Sequence, residues 1–294
     1  MALGVGRRES ARPAADEVRV LRPDQIPQLR LGWQHRHEAD EIERLLAIYP
    51  GRSVWLPDTR EFVLLSPWRH RLEIAGVVEL AAVRNAELLV SHAVERARAH
   101  DAALVLITEL DERRRPAFYD RIGFTELEEV ITYETDRVAP RVVDTRPLTF
   151  LQVAGHDSAM LNEVLALDHI AFPWLWWNSS EELAAYSFMP GVGIFVGLYE
   201  GKPVSYVGLT IYPGWGHLDR LAVHPSFQGL GYGRISLAFA LGTLSSRGAR
   251  RVGLSTQDDN GRSQRMYERF GFKRSRVNDY RLYGRWMRDP ETLG

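Results

Sequence analysis

Leu221-Ala222-Val223-His224-Pro225, followed one residue later by Phe227-Gln228-Gly229-Leu230-Gly231-Tyr232-Gly233, is the stretch that decides the fold. The apolar residues end a strand, three alternate glycines interrupt it, and helical spacing runs from about Gly231 to Ser246. Glycines at a strand-to-helix turn leave backbone N–H groups exposed where the helix dipole is positive, which suits a pyrophosphate or similar anion. A purely structural turn would use glycine too. Two nucleotide signatures fail: counted from Gly229, the sixth position is Arg234 rather than glycine, and no Lys-Ser or Lys-Thr closes a P-loop.

Working outward, Leu148 to Val153 reads as a strand, and Ser158 to Ile170 and Ser180 to Phe188 read as helices behind Ser or Asp caps. Gly193 to Tyr199 and Lys202 to Tyr212 form a hairpin across Glu200-Gly201, and Trp215 to Val223 is the next strand. Beyond the glycines come a strand (Arg251 to Thr256), a helix (Gly261 to Phe270) and closing strands within Phe272 to Met287. A meander with helical crossovers predicts an α+β, mixed α/β sheet, mostly antiparallel, with helices on both faces.

The chain also repeats itself. Ala117-Phe118-Tyr119-Asp120-Arg121-Ile122-Gly123-Phe124 matches Arg265-Met266-Tyr267-Glu268-Arg269-Phe270-Gly271-Phe272 at an offset of 148, and the same offset carries Leu104 to Thr108 onto Val252 to Thr256. The expected organisation is a disordered tail over 1–16, one domain over 17–139 and a second over 140–294, with a seam near Pro140. A chain of 294 residues, 45% hydrophobic, fits two domains at roughly 150 residues each.

Composition removes several function classes. Lys and Arg number 37 against 38 Asp and Glu, so no general attraction exists for nucleic acid or an anionic membrane. The absence of cysteine excludes disulfides, thiolate metal sites and a thiol nucleophile. No run approaches the roughly 20 apolar residues of a membrane span. No metal set is expected: His35, His37 and Glu38, beside Arg36 and Asp40, read as a solvated helix face. Cytoplasm is the default location.

Gln228 to Gly233 resembles the acyl-CoA signature Gln/Arg-x-x-Gly-x-Gly/Ala of the GNAT superfamily of N-acetyltransferases. A second block of that superfamily follows in order: Asn260, Ser263, Tyr267 and Gly271-Phe272. The resemblance covers about Leu148 to Met287 and implies acetyl-CoA as co-substrate, an amine acceptor (small molecule or peptide) and direct transfer in a ternary complex. It implies that backbone amides of Gly229, Leu230, Gly231, Tyr232, Gly233 and Arg234 hold the pyrophosphate. Leu221, Ala222 and Val223 would pair with the pantetheine arm and polarise the thioester carbonyl. Gln228, Asn260 and Ser263 would complete the donor site, and Tyr267 would protonate the leaving thiolate.

The amine must lose a proton before it attacks. Several relatives carry Glu on the strand that here reads Leu254-Ser255-Thr256, and this chain has Ser255. Asp219 is the favoured substitute, with His217 and a water chain behind it. Strand alternation places Asp219 and His217 on one face, opposite Leu218 and Arg220. Phe172, Trp174, Trp176 and Trp177 are either an aromatic acceptor wall or core between the domains. In the first copy, Gln228, Gly231 and Gly233 fall on Leu80, Val83 and Asn85, and Asn260 and Ser263 on Glu112 and Arg115, so that copy is expected to be degenerate. The alternative to catalysis is a non-catalytic acyl-CoA binding or sensing protein.

Overall fold

The computed structural model describes residues 17–31, 35–109, 116–136, 138, 144–275 and 277–289. The tail 1–16, the seam at Pro140, and Glu112 and Arg115 lie outside these residues. The first half contains β1 (Arg19–Val20), α1 (Ala39–Ile48), β2 (Val54–Leu56), β3 (Glu61–Trp68), β4 (Arg71–Ala81), α2 (Ala86–Ala99), β5 (Leu104–Glu109), α3 (Pro116–Arg121) and β6 (Thr125–Thr135). The second contains β7 (Thr149–Val153), α4 (Ser158–Ala171), α5 (Ser180–Ser187), β8 (Val192–Tyr199), β9 (Lys202–Tyr212) and β10 (Trp215–Val223). It continues with α6 (Tyr232–Ser246), β11 (Arg251–Gln257), α7 (Gly261–Arg269), β12 (Lys273–Arg274) and β13 (Tyr280–Trp286).

Local chemistry sets the helix starts. Asp157 Oδ1 accepts Met160 N–H at 3.0 Å, Ser179 Oγ accepts Glu182 N–H at 3.0 Å, and Asn260 Oδ1 accepts Ser263 N–H at 3.2 Å. Such caps typically contribute about 1 kcal/mol each. Strands β8 and β9 are apolar on both faces because helices cover both. Ile194, Val196 and Tyr206 meet Leu161 and Val164 of α4 and Leu183 of α5, while Phe195, Val207 and Leu209 meet Leu237, Ala240 and Leu244 of α6.

The described strands form one continuous sheet in the order β1-β2-β3-β4-β5-β13-β6-β11-β10-β9-β8-β7, with β12 beside β6. Only the β4–β5 and β10–β11 pairings are parallel, so the mixed, mostly antiparallel class expected from the sequence is observed. The order is symmetric about the β13–β6 pair, and the two halves exchange their last long strands. Strand β6 of the first half pairs with β11 of the second (Val252 opposite Thr135, Gln257 opposite Val130). Strand β13 of the second half pairs with β5 of the first (Arg281 opposite Glu109, Trp286 opposite Leu104). The strands within 272–287 therefore do not close their own half's part of the sheet; the free edges of β5 and β11 are each covered from across the repeat.

The repeat offset is not constant. The β3–β4 turn at 69–70 and the β9–β10 turn at 213–214 lie 144 residues apart, whereas β5 and β11 align at 148. Part of the difference falls ahead of the helix, where the loop is 82–85 between β4 and α2, against 224–231 between β10 and α6. Among the described residues no helix is long and apolar enough to cross a membrane.

Candidate active site

Strands β10 and β11 run parallel from Trp215 opposite Arg251 to Leu218 opposite Leu254, and their pairing ends there. Beyond that point Leu221, Ala222 and Val223 pair only with β9, leaving the β10 edge that faces β11 open for hydrogen bonds. The next loop leads to α6, whose N-cap Gly231 has φ +90°, with Gly229 at +85°. Any side chain there would strain the backbone. Gly233 is different: an added Cβ would meet Met266 Sδ at 3.6 Å and Val223 Cγ2 at 3.8 Å, both ordinary contacts. The chain's own packing therefore does not require glycine at 233.

A cavity of about 690 Å³ lies over this loop and is lined by Leu221, Ala222, Val223, Gln228, Gly229, Gly231, Gly233, Arg234, Asn260 and Ser263. Of the other cradle residues, the Leu230 side chain points to solvent, and Tyr232 is buried and stacks on Phe227 at 5.9 Å; their expected contribution is backbone N–H. Gln228 ties the loop down by donating to Val223 O at 3.0 Å and accepting from Arg262 at 2.9 Å. Sequence reasoning missed Arg262, Arg265 and Arg269, which line the same cavity from α7. Their i, i+3, i+7 spacing was the available signal, since it places three guanidinium groups along one helix face.

A second cavity of about 400 Å³ adjoins the first and shares Phe172, Leu221, Gln257, Asn260 and Ser263 with it. Tyr267 lines this second cavity, 7% exposed and packed near Tyr133 and Phe272. Burial outweighs a hydrogen bond from Ser263 and pushes its phenol up to about 12. It is therefore a protonated donor at neutral pH.

Opposite lies a carboxylate cluster. Asp219 is the extra residue of a β-bulge, since Leu218 faces Leu209 and Arg220 already faces Gly208. Bulges re-aim side chains. The expected alternation fails at this point: Asp219 and Arg220 both turn toward the α4–α5 face, where Arg220 engages Tyr206 and the fully buried Asp168. Asp219 Oδ2 accepts from Tyr186 OH at 2.6 Å and Thr210 Oγ1 at 2.7 Å, and Oδ1 lies 2.8 Å from His217 Nδ1. Burial and the adjacent Asp219 push the Tyr186 phenol far above its ordinary range.

The aromatic segment has two jobs. Phe172 and Trp176 line the second cavity, with Arg220 stacked 3.8 Å over Phe172. Trp174 and Trp177 lie behind that wall: Trp174 sits beneath the Arg71 guanidinium (4.3 Å) and beside Trp286 (5.8 Å), and Trp177 stacks on His169 at 4.5 Å. The first half grips the segment from outside. Trp68 Nε1 donates to Leu175 O at 3.2 Å, Arg71 donates to Trp174 O, and Trp176 Nε1 donates to Glu128 of β6. Burial raises the Glu128 carboxyl against that bond, with Asp259 adding to the rise.

Arg69, also from the first half, reaches the second cavity and donates to Asn178; its Nε lies 3.0 Å from Glu182 Oε2, an ion pair with neither atom in a hydrogen bond. None of these cross-half contacts has a local sequence signal, because each depends on the strand exchange.

The corresponding region of the first half is occupied by its own side chains. The Glu61 carboxylate accepts backbone N–H from Val83 and Arg84, just ahead of α2. His35 and His37 precede α1 and hold the buried Glu79 through their Nδ1 atoms at 2.7 and 3.0 Å. They are thus not the solvated helix face expected from sequence; the buried carboxylate on β4 draws them in. Tyr119, the counterpart of Tyr267, is fully buried, donates to Glu109 and stacks on Tyr283 at 3.7 Å.

This architecture is a sheet that splays between two parallel strands over a glycine loop and a helix N-terminus. Residues 161–272 match the profile of the Acetyltransferase (GNAT) family, so the second half carries a GNAT acetyltransferase domain. A curated mycothiol acetyltransferase of Rhodococcus erythropolis (strain PR4 / NBRC 100887) is 26% identical over 204 residues, which cover 64% of this chain. The chain spans about three fifths (61%) of that relative's length. A GCN5-related N-acetyltransferase from Sphaerobacter thermophilus shares the fold at a TM-score of 0.61 and 17% identity, covering 92% of this chain and 96% of that one. A tandem GNAT protein from the clavulanic acid biosynthesis pathway aligns at a TM-score of 0.56 and 14% identity, covering 93% and 99%.

Proposed function

We propose that the chain is an N-acetyltransferase that moves an acetyl group from acetyl-CoA directly to a primary amine in a ternary complex, at one site in its second half. The observation that carries this reading is the shared wall. A glycine-lined cavity and a polar cavity meet at Leu221, Asn260 and Ser263, beside the buried phenol of Tyr267.

Bound acetyl-CoA would supply the activated thioester; the chain does the rest. The amides from Gly229 to Arg234 and the α6 N-terminus hold the diphosphate, and the α7 arginines add positive charge beside it. The free β10 edge orients the arm and directs an N–H at the thioester oxygen, where negative charge grows. Tyr267 protonates the departing sulfur. The polar cluster of Asp219 and His217 receives the amine and takes its proton. The first half holds no donor: its loop is four residues shorter and Glu61 already occupies the amides ahead of α2.

The test is direct because the chain has no cysteine. Free CoA thiol can be read with a thiol reagent against zero protein background, across a panel of amines, with the acetylated product weighed by mass spectrometry. Amine-dependent thiol release with a matching product supports transfer. Saturable CoA binding with no release for any amine would leave a binding or sensing protein.

A further inference from the structure

We infer that His217, not Asp219, is the proton acceptor for the incoming amine, and that Asp219 is the residue that positions it. This rests on the transfer reading above. His217 Nδ1 is fixed on Asp219 Oδ1 at 2.8 Å, and both side chains line the second cavity. The contact settles the tautomer: with the proton on Nδ1 and the carboxylate accepting it, Nε2 is left as a lone-pair base. No hydrogen bond engages Nε2 among the described residues, and the side chain is 28% exposed, so an amine can reach it.

Asp219 is poorly placed to act alone. Both of its oxygens accept hydrogen bonds, from Tyr186 OH, Thr210 Oγ1 and the imidazole. Those contacts fix the carboxylate in one orientation and suit it to stabilise an imidazolium. The bulge at Asp219 makes the arrangement possible by aiming it back along the strand at residue 217 while Arg220 leaves for Asp168.

Other charges around the cavity are already compensated. Arg220 is held by Asp168, Arg69 by Glu182, and Tyr186, Tyr206, Tyr267 and Tyr280 are all shifted upward by burial and so stay neutral near pH 7. His217 and Asp219 are left as the pair facing the amine.

The step balances as follows. The ammonium gives one proton to His217 Nε2. The freed amine nitrogen bonds to the acetyl carbon, the C–S bond breaks, and the sulfur takes a proton from Tyr267. The second N–H proton lost as the amide forms restores Tyr267 through solvent, and His217 releases its proton to solvent. The sum is ammonium plus acetyl-CoA giving amide, CoA thiol and one proton.

The test compares wild type, His217→Gln and Asp219→Asn on two amines, one alkylamine that is an ammonium at pH 7 and one weakly basic amine that is neutral there, with acetyl-CoA affinity and thermal melting measured in parallel. His217→Gln is expected to lose roughly 100- to 10000-fold in kcat/KM on the alkylamine at pH 7. That loss should shrink as pH rises, stay within a few fold on the neutral amine, and leave acetyl-CoA affinity unchanged. Asp219→Asn should likewise lower kcat/KM on the alkylamine far more than on the neutral amine, because the imidazole loses the carboxylate that holds its Nδ1–H. Imidazole in the buffer should restore part of the rate to His217→Ala.

An alkylamine rate within a few fold of wild type for His217→Gln, or an equal loss on both amines, overturns the assignment. A wild type that binds acetyl-CoA but acetylates neither amine nor any of the wider panel fails the transfer reading instead.

Discussion

Glu61 and Arg84 meet at 2.9 Å, carboxylate to backbone N–H, and the same oxygen accepts from Val83 at 2.8 Å. Partial burial pushes the Glu61 carboxyl up, but the two backbone N–H groups, with Asn85 and Thr59, hold it below its usual range. The first half thus carries a built-in anion where the second half has an open glycine loop.

The first consequence is stoichiometric. Calorimetric titration with CoA should give one site per chain, and Gly231→Glu combined with Gly233→Glu should abolish it while leaving the first half intact. Two equivalent sites, or binding that survives the double substitution, would show that the glycine loop is not the donor cradle.

Tyr267→Phe keeps the ring that packs against Tyr133 and Phe272 and removes only the proton donor. Turnover should fall roughly 100- to 10000-fold where chemistry limits the rate, with acetyl-CoA affinity within a few fold. Unchanged turnover under those conditions would make Tyr267 a packing residue.

Buried phenols give the fold an alkaline weakness. Tyr267 and Tyr280 titrate normally near 10 when unfolded and are each pushed up to about 12 in the fold, by burial above all. Below pH 10 both are neutral in either state and stability is complete. Between pH 10 and 12 the unfolded chain ionises first, and each tyrosine then costs up to about 3 kcal/mol. Denaturant unfolding at pH 8, 10 and 11 should show a flat region followed by a fall. Replacing Tyr280 with Phe should lessen that fall.

The strand exchange predicts that the halves do not separate cleanly. A fragment of residues 140–294 would leave the β11 edge without β6 and β13 without β5. Exposed strand edges promote aggregation, so that fragment should be insoluble when expressed alone and should be recovered as a 1:1 complex when co-expressed with residues 17–139. A monomeric, active fragment 140–294 on size exclusion would contradict this.

The second half was legible because its signals are local. Asp157 and Ser179 cap the helices that were expected behind a Ser or Asp cap, and Trp215 to Val223 is a strand with those same ends, whereas Asn260, expected only as a cofactor contact, also caps α7. The repeat was legible through Tyr119 and Tyr267, both buried at the same step of the fold. Three features were not. The bulge at Asp219 breaks alternation without a glycine to announce it. The exchange of β6 and β13 conserves every strand and changes only which edge each one finds. The engagement of Trp68, Arg69 and Arg71 with residues 174–178 joins positions more than a hundred apart in sequence.

The symmetry of the sheet about β13 and β6 makes this chain the covalent counterpart of a two-fold dimer with swapped strands. In a homodimer both copies are encoded by one sequence, so any change that fills one cleft fills its mate. Fusion removes that constraint. Here Glu61 accepts the amides ahead of α2 in one copy while the other has an open glycine loop, and the first copy provides Arg69, Glu128 and Val130 to the walls of its neighbour's cavities. A substitution at one of these wall positions of the first half is expected to register as altered kinetics at the proposed site in the second.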